Sequence, residues 1–139
     1  MATAWRINLL EDTNLNDSDK IFTVPENTEW ELLWIWVEYI STATVGDRQL
    51  EIQLQSSGSN IIAQWQPGTI QSESLTYNYL FGTGDPDLES PRDTSYLMTP
   101  MFGAAFLSAG QKIRIWDNNG VDAAADDMTV KIQYGYHEI

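Results

Sequence analysis

The chain contains no cysteine. Disulfide staples and thiolate metal sites are excluded, and nothing marks the redox compartment. Histidine is nearly absent as well. The single one, His137, excludes the multi-histidine metal cradles of cupin-type barrels. Basic residues are scarce, 7 against 20 acidic, for a formal net charge of −13. A surface of that sign repels a phosphate backbone, so no nucleic acid is expected as a partner; a basic protein surface suits it better. No run approaches the roughly 20 apolar residues of a membrane span, so no membrane partner is expected. The opening MATAWRINLLEDTN has no basic segment followed by an apolar one. No secretion signal is expected from it, and synthesis in a cytoplasm is the corresponding expectation.

What is present is apolar and aromatic. With 139 residues, 42% of them hydrophobic, and six Trp, six Tyr and four Phe, the chain can bury a single core of ordinary size. No segment carries a convincing helical period, whereas period two recurs. In QLEIQLQ (49–55) Leu50, Ile52 and Leu54 oppose Gln49, Glu51, Gln53 and Gln55, the pattern of a strand with one wet face. KIRIW (112–116) and MTVKIQYGY (128–136) alternate in the same way. Further strands are expected over 5–10, 20–24, 30–41, 60–66 and 74–81, with a short one near 95–98. Turn signals separate them: Ser57-Gly58-Ser59-Asn60 for a hairpin, Pro67-Gly68, the loop 82–94 and Asp117 to Gly120. Eight or nine short strands with little helix predict an all-β chain, an antiparallel β-sandwich of jelly-roll type. Residues 1–20, with the polar stretch EDTNLNDSD, read as an N-terminal arm that orders against a partner, and residues 21–139 as the sandwich domain.

Candidate chemistry is sparse. His137 lies two residues from the C-terminal Ile139, a poor position for a catalytic base that must be held in place, and there is no G-x-S-x-G. Asp117, Asn119, Asp122, Asp126 and Asp127 concentrate oxygen ligands of the kind calcium takes. They lack the spacing of an EF-hand loop, so a solvated acidic loop at a sandwich edge is the expected reading and no metal site is expected. Twenty scattered carboxylates give no specific glycosidase pair. Neither a catalytic residue nor a cofactor is expected. Trp65 and Trp116, the latter beside Asp117, Asn118 and Asn119, are candidates for stacking on a sugar.

The segment EWELLWIWVEYIS (29–41) breaks the alternation rule. One parity holds Trp30, Leu32, Trp34, Trp36, Glu38 and Ile40; the other holds Glu31, Leu33, Ile35, Val37, Tyr39 and Ser41. With Leu33, Ile35, Val37 and Tyr39 in the core, Trp30, Leu32, Trp34 and Trp36 form an outward stripe about 20 Å long. Left in water it would rival the ~300–600 Å² of a monomer's largest apolar patch. The reversed register puts the tryptophans inside instead and still leaves one apolar face over. Three covers are available: the arm through Trp5, Ile7, Leu9 and Leu10, a second copy of the chain, or another protein.

Three segments also carry a resemblance. EWELLWIWVEYISTATVGDRQLEIQL, LTYNYLFGTGDPD and AGQKIRIWDNNGVDAAADDMTVKI resemble the small β-sandwich virion proteins of tailed bacteriophages, most nearly the capsid decoration (cement) proteins. The similarity runs over residues 24–133, and TATVGDRQ and DAAADDMTV are its most distinctive pieces. The resemblance implies a structural role without catalytic residues: a homotrimer on the outer capsid surface that binds the major capsid protein between capsomers and stabilises the head. A carbohydrate-binding or host-adhesion module of a phage tail or fibre is the alternative it allows.

Overall fold

The computed structural model describes residues 5–85, 95–101 and 105–139. They form ten strands: β1 (Arg6–Asp12), β2 (Asp19–Thr23), β3 (Thr28–Ile40), β4 (Leu50–Gln55), β5 (Ile61–Trp65), β6 (Thr76–Gly82), β7 (Tyr96–Pro100), β8 (Ala105–Ser108), β9 (Lys112–Asp117) and β10 (Asp127–Glu138). Nine of them match strands expected from period two and from turn residues. The tenth, β8, is four residues long, too short to show a period, and gains its place by pairing with the first half of β3. Of the loop expected over 82–94, residues 86–94 lie outside the described residues.

The strands make two layers, one in the order β1-β10-β3-β6-β7 with β8 also on β3, the other in the order β2-β9-β4-β5. All pairs are antiparallel except β6 with β7. β3 pairs with β10 in the first layer, and their continuations β4 and β9 pair in the second. A long antiparallel pair thus folds across both sheets, as in a jelly roll. Ile35, Val37, Phe81 and Ile132 from one sheet meet Leu50, Ile52, Ile113 and Ile115 from the other in a single core. Burying each such side chain contributes about 1.5–3 kcal/mol.

Two sequence expectations change. The stretch read as an arm belongs to the sandwich from Arg6 onward, because β1 pairs along its whole length with β10. The chain then runs into β2 without a break at residue 20. EDTNLNDSD serves this connection by wrapping a cation: the Lys20 side chain is fully buried, and its ammonium donates to Asp12 Oδ1 (3.1 Å), the Asn14 carbonyl (2.8 Å) and Asp17 Oδ2 (3.5 Å). A buried ammonium is tolerable only when ringed in this way. The second change concerns β4. Its alternation is as read, but its polar face is not wet, since all six residues are buried. Gln66 donates to Glu51, Gln53 to Gln64, and Gln55 to Gln53, so that face is an amide ladder that satisfies itself.

The strongest polar feature lies where β3 crosses from one sheet to the other. Arg48 and Asp126 are both fully buried, 3.0 Å apart. All five N–H donors of the guanidinium are used: Nε and Nη2 reach Asp126, Nη2 also reaches Thr42 Oγ1, and Nη1 reaches the carbonyls of Thr44 and Gly46. Asp126 also accepts from the Tyr39 hydroxyl (2.7 Å) and the Thr42 N–H (2.8 Å). Gly46 permits the tight loop: its φ is +147°, and a Cβ there would lie 2.9 Å from Val121 Cγ1. Burial raises the Asp126 pKa, but the hydrogen bonds from Arg48, Thr42 and Tyr39 and the Arg48 charge outweigh it and hold the carboxyl below its ordinary value.

Removing one partner of such a pair strands the other charge. Asp126→Asn is predicted to cost about 3–5 kcal/mol in denaturant unfolding. Because the folded pKa is depressed, the stabilisation by Asp126 is complete above the unfolded carboxyl value, about 3.9. It is lost as pH falls through the lower folded value. Stability of the wild-type chain should therefore drop more steeply below about pH 4 than that of Asp126→Asn; parallel pH profiles would contradict this role.

Candidate interaction face

β3 resolves its own irregularity with one extra residue. Gln133 pairs with Trp34, but the next residue, Tyr134, pairs with Leu32, so Leu33 is a β-bulge. Above the bulge Ile35, Val37 and Tyr39 face the core, and below it Trp30 and Leu32 do, each 3% exposed. Each of the two registers read from the sequence is therefore right for half of the strand. Trp30 and Leu32 are not part of the outward stripe: Trp30 stacks on Tyr134 at 4.0 Å, and both belong to the core cluster. Trp34 and Trp36 remain on the outer face, half-buried, and the bulge adds Leu33 to them.

Register places their neighbours. One row across the sheet runs Leu9, Gln133, Trp34, Gly82, and the next runs Glu11, Lys131, Trp36, Leu80, Met98. A third, below the bulge, runs Ile7, Gly135, Glu31, Phe106. Ile7, Leu9 and Phe106 are 68%, 45% and 61% exposed. Trp5 stacks on His137 at 4.2 Å and meets Phe106 edge-on. Leu10 points the other way and packs against the core. Trp5, Ile7 and Leu9 therefore lie beside the Trp34–Trp36 pair and widen the apolar face; they do not fold over it.

At the centre of this face is a groove of about 520 Å³, floored by Leu33, Trp34, Trp36 and Leu80, with Asp85 and Lys131 at its rim. The Trp34 indole donates to Gln133 Oε1 at 2.6 Å, which fixes the ring. Lys131 Nζ lies 4.8 Å from the Trp36 ring centre and 3.7 Å from Glu11. Asp85 Oδ2 is shut off from solvent without a hydrogen-bond partner among the described residues, and burial pushes its carboxyl up from the ordinary value. The outer face of the other sheet differs in kind. Arg114 holds Asp19 through two bonds of 2.9 and 2.8 Å and covers Trp116 at 4.2 Å, beside the glutamine ladder.

The remaining sequence candidates are separated by the fold. Asp117 caps its own turn by accepting from the N–H groups of Gln49, Asn119 and Val121. Asp122 accepts from Thr42 and Thr44, Asp127 accepts from the N–H of Asn16, and Asn119 donates to the Asp47 carbonyl. With Asp126 committed to Arg48, these five side chains do not converge on one point, and among the described residues no group of three His, Cys, Asp or Glu could hold a metal ion. Trp65 and Trp116 are both buried and present no open ring face to a sugar. His137 lies in β10 with its Nε2 2.9 Å from Glu29. Asp85, Gly82 and Lys131 were not singled out from the sequence. No local signal marks them, because the three come from separate strands and a loop.

No protein-family model matches the chain, and a search of curated proteins finds no match. Among solved structures it is similar to that of infectious bursal disease virus, Gx strain, at TM-score 0.38 and 8% identity over 99% of this chain. It is also similar to the VP2 subviral particle of that virus (TM-score 0.31, 11%, 96% of this chain). An arabinose-bound α-L-arabinofuranosidase is similar too (TM-score 0.33, 11%, 98%). The chain spans only 37%, 33% and 22% of the lengths of those chains.

The bulge makes the tryptophans of β3 unequal. Trp30→Ala should cost about 3–5 kcal/mol, the figure for a buried aromatic, whereas Trp36→Ala should cost about 1 kcal/mol or less, as an outward side chain. Denaturant midpoints compare them, and equal losses would contradict the change of face at Leu33.

Proposed function

We propose that this chain is a non-enzymatic structural protein of a tailed-phage virion, which decorates the head by binding the major capsid protein between capsomers. The outer face of the six-stranded sheet carries this reading. Trp34, Trp36, Leu33 and Leu80 line a groove at its centre and the exposed Ile7, Leu9 and Phe106 surround them, whereas the opposite sheet is polar at its centre and exposes Ile21 and Ile61 on its two edge strands. A contiguous apolar face of this kind marks a surface for another protein. The sequence resemblance to decoration proteins supplies the kind of partner, and the net charge of −13 favours a basic one. Self-association as a homotrimer is part of the proposal. A lattice of identical sites then adds avidity to each weak contact. On this reading the protein is made in the host cytoplasm and functions on the outer capsid surface.

Co-sedimentation with expanded, undecorated heads tests the reading. Wild-type protein should pellet with the heads and run as a trimer by light scattering. A Trp34→Ser, Trp36→Ser double variant should remain folded by circular dichroism yet lose both properties. A double variant that pellets like wild type would contradict the assigned face. Binding on a glycan array without binding to heads would favour the adhesion module instead.

A further inference from the structure

We propose that the groove at the centre of the outer face is a receptor for an arginine side chain carried on an apolar segment of the partner protein. The inference rests on the reading that this face docks another polypeptide, and it specifies what that polypeptide must present.

Asp85 defines the need. One of its carboxylate oxygens is enclosed and has no donor among the described residues, although a buried acceptor is normally satisfied. It occupies its position because residue 82 is glycine: a Cβ on Gly82 would stand 2.9 Å from Asp85 Oδ2. Asp85 also lines the groove, so a hydrogen-bond donor that enters there meets its carboxylate beside the two indoles. Hydroxyl, ammonium and guanidinium groups all donate. Only guanidinium combines a planar fork for a carboxylate with a flat face that stacks on an aromatic ring. The groove already shows that its rings accept a cation, because Lys131 lies over Trp36. The charge of Lys131 is balanced by Glu11, and the same sheet face carries Glu31 and Glu38 on β3. An incoming cation therefore meets a net acidic surface on a chain of charge −13. The apolar floor of Leu33 and Leu80 matches an aliphatic neighbour of the arginine.

The probe is N-acetyl-leucyl-arginine amide, titrated into nitrogen-labelled full-length protein while the indole N–H signals of Trp34 and Trp36 are followed by NMR. Both signals should move and saturate. The apparent affinity should fall about tenfold when citrulline, the neutral isostere, replaces arginine, and equally in Asp85→Asn, since both remove the charge-assisted bond. Gly82→Ala, which displaces the carboxylate, should weaken binding in the same direction. Equal binding of the citrulline peptide, no response to the arginine peptide, or a response to methyl galactoside alone would each overturn the inference. Head co-sedimentation separates this inference from the docking reading. If Asp85→Asn pellets like wild type and the arginine peptide does not bind, the receptor fails and docking stands. If wild type does not pellet but the peptide binds as described, the docking reading fails and the receptor stands.

Discussion

Thirteen residues of β3 cross the larger sheet, and a strand of that length must present alternate residues to the same side along its whole course. Strict alternation would place Trp30 and Leu32 in solvent whenever Ile35, Val37 and Tyr39 are in the core. One inserted residue, Leu33, removes the conflict at the cost of a local break in the ladder with β10. Its consequences reach the surface. Five apolar side chains of β3 enter the core from both halves of the strand, and the bulge leaves Leu33 together with Trp34 and Trp36 on the opposite side. The groove is thus the outer counterpart of the way the core is filled.

A second constraint holds the far end of the same strand. After Ile40 the chain leaves the first sheet, and the buried Arg48–Asp126 pair joins the loop that follows β3 to the loop that precedes β10. TATVGDRQ contributes Thr42, Thr44 and Arg48, and DAAADDMTV contributes Asp122 and Asp126. The two most distinctive pieces of the sequence resemblance are therefore the two halves of one hydrogen-bonded lock. They specify how β3 and β10 connect to β4 and β9 of the second sheet, and the lock itself lies away from the groove. These two pieces thus bear on the architecture, and the docking surface is argued from the exposed side chains.

The strands were legible because period two survives wherever a strand has one side in the core: KIRIW and MTVKIQYGY show it, and their limits agree with β9 and β10 within two residues. β8 was not legible, since AFLS offers too few positions for a period. The bulge at Leu33 was visible only as an anomaly, an excess of apolar residues on both parities, because bulges depend on the partner strand's register as well as on local sequence. The fate of charged residues was the least readable. Lys20 in a polar stretch and Arg48 in a loop look like solvated surface, yet both are buried: Lys20 is ringed by Asp12, Asp17 and the Asn14 carbonyl of the stretch that precedes it, and Arg48 by Asp126 far along the chain and by carbonyls of its own loop. Asp126 was counted among calcium ligands for its oxygen-rich neighbourhood; its actual partner lies 78 positions away. The polar face of QLEIQLQ was misread for the same reason, because only the neighbouring strands show that its amides are covered.

These elements converge on a sandwich whose two outer faces differ, one centred on glutamines and an Arg114–Asp19 pair with Ile21 and Ile61 exposed on its edge strands, the other centred on an aromatic groove. The central claim is that the grooved face is buried when the protein is at work. Hydroxyl-radical footprinting, read by mass spectrometry on free and head-bound protein, measures this residue by residue. The account predicts strong protection of Trp34, Trp36 and Phe106 on binding, with Ile21 on the other sheet, 55% exposed in the free chain, reacting as before. Equal reactivity of Trp34 and Trp36 in the two states, or protection of Ile21 instead, would contradict it.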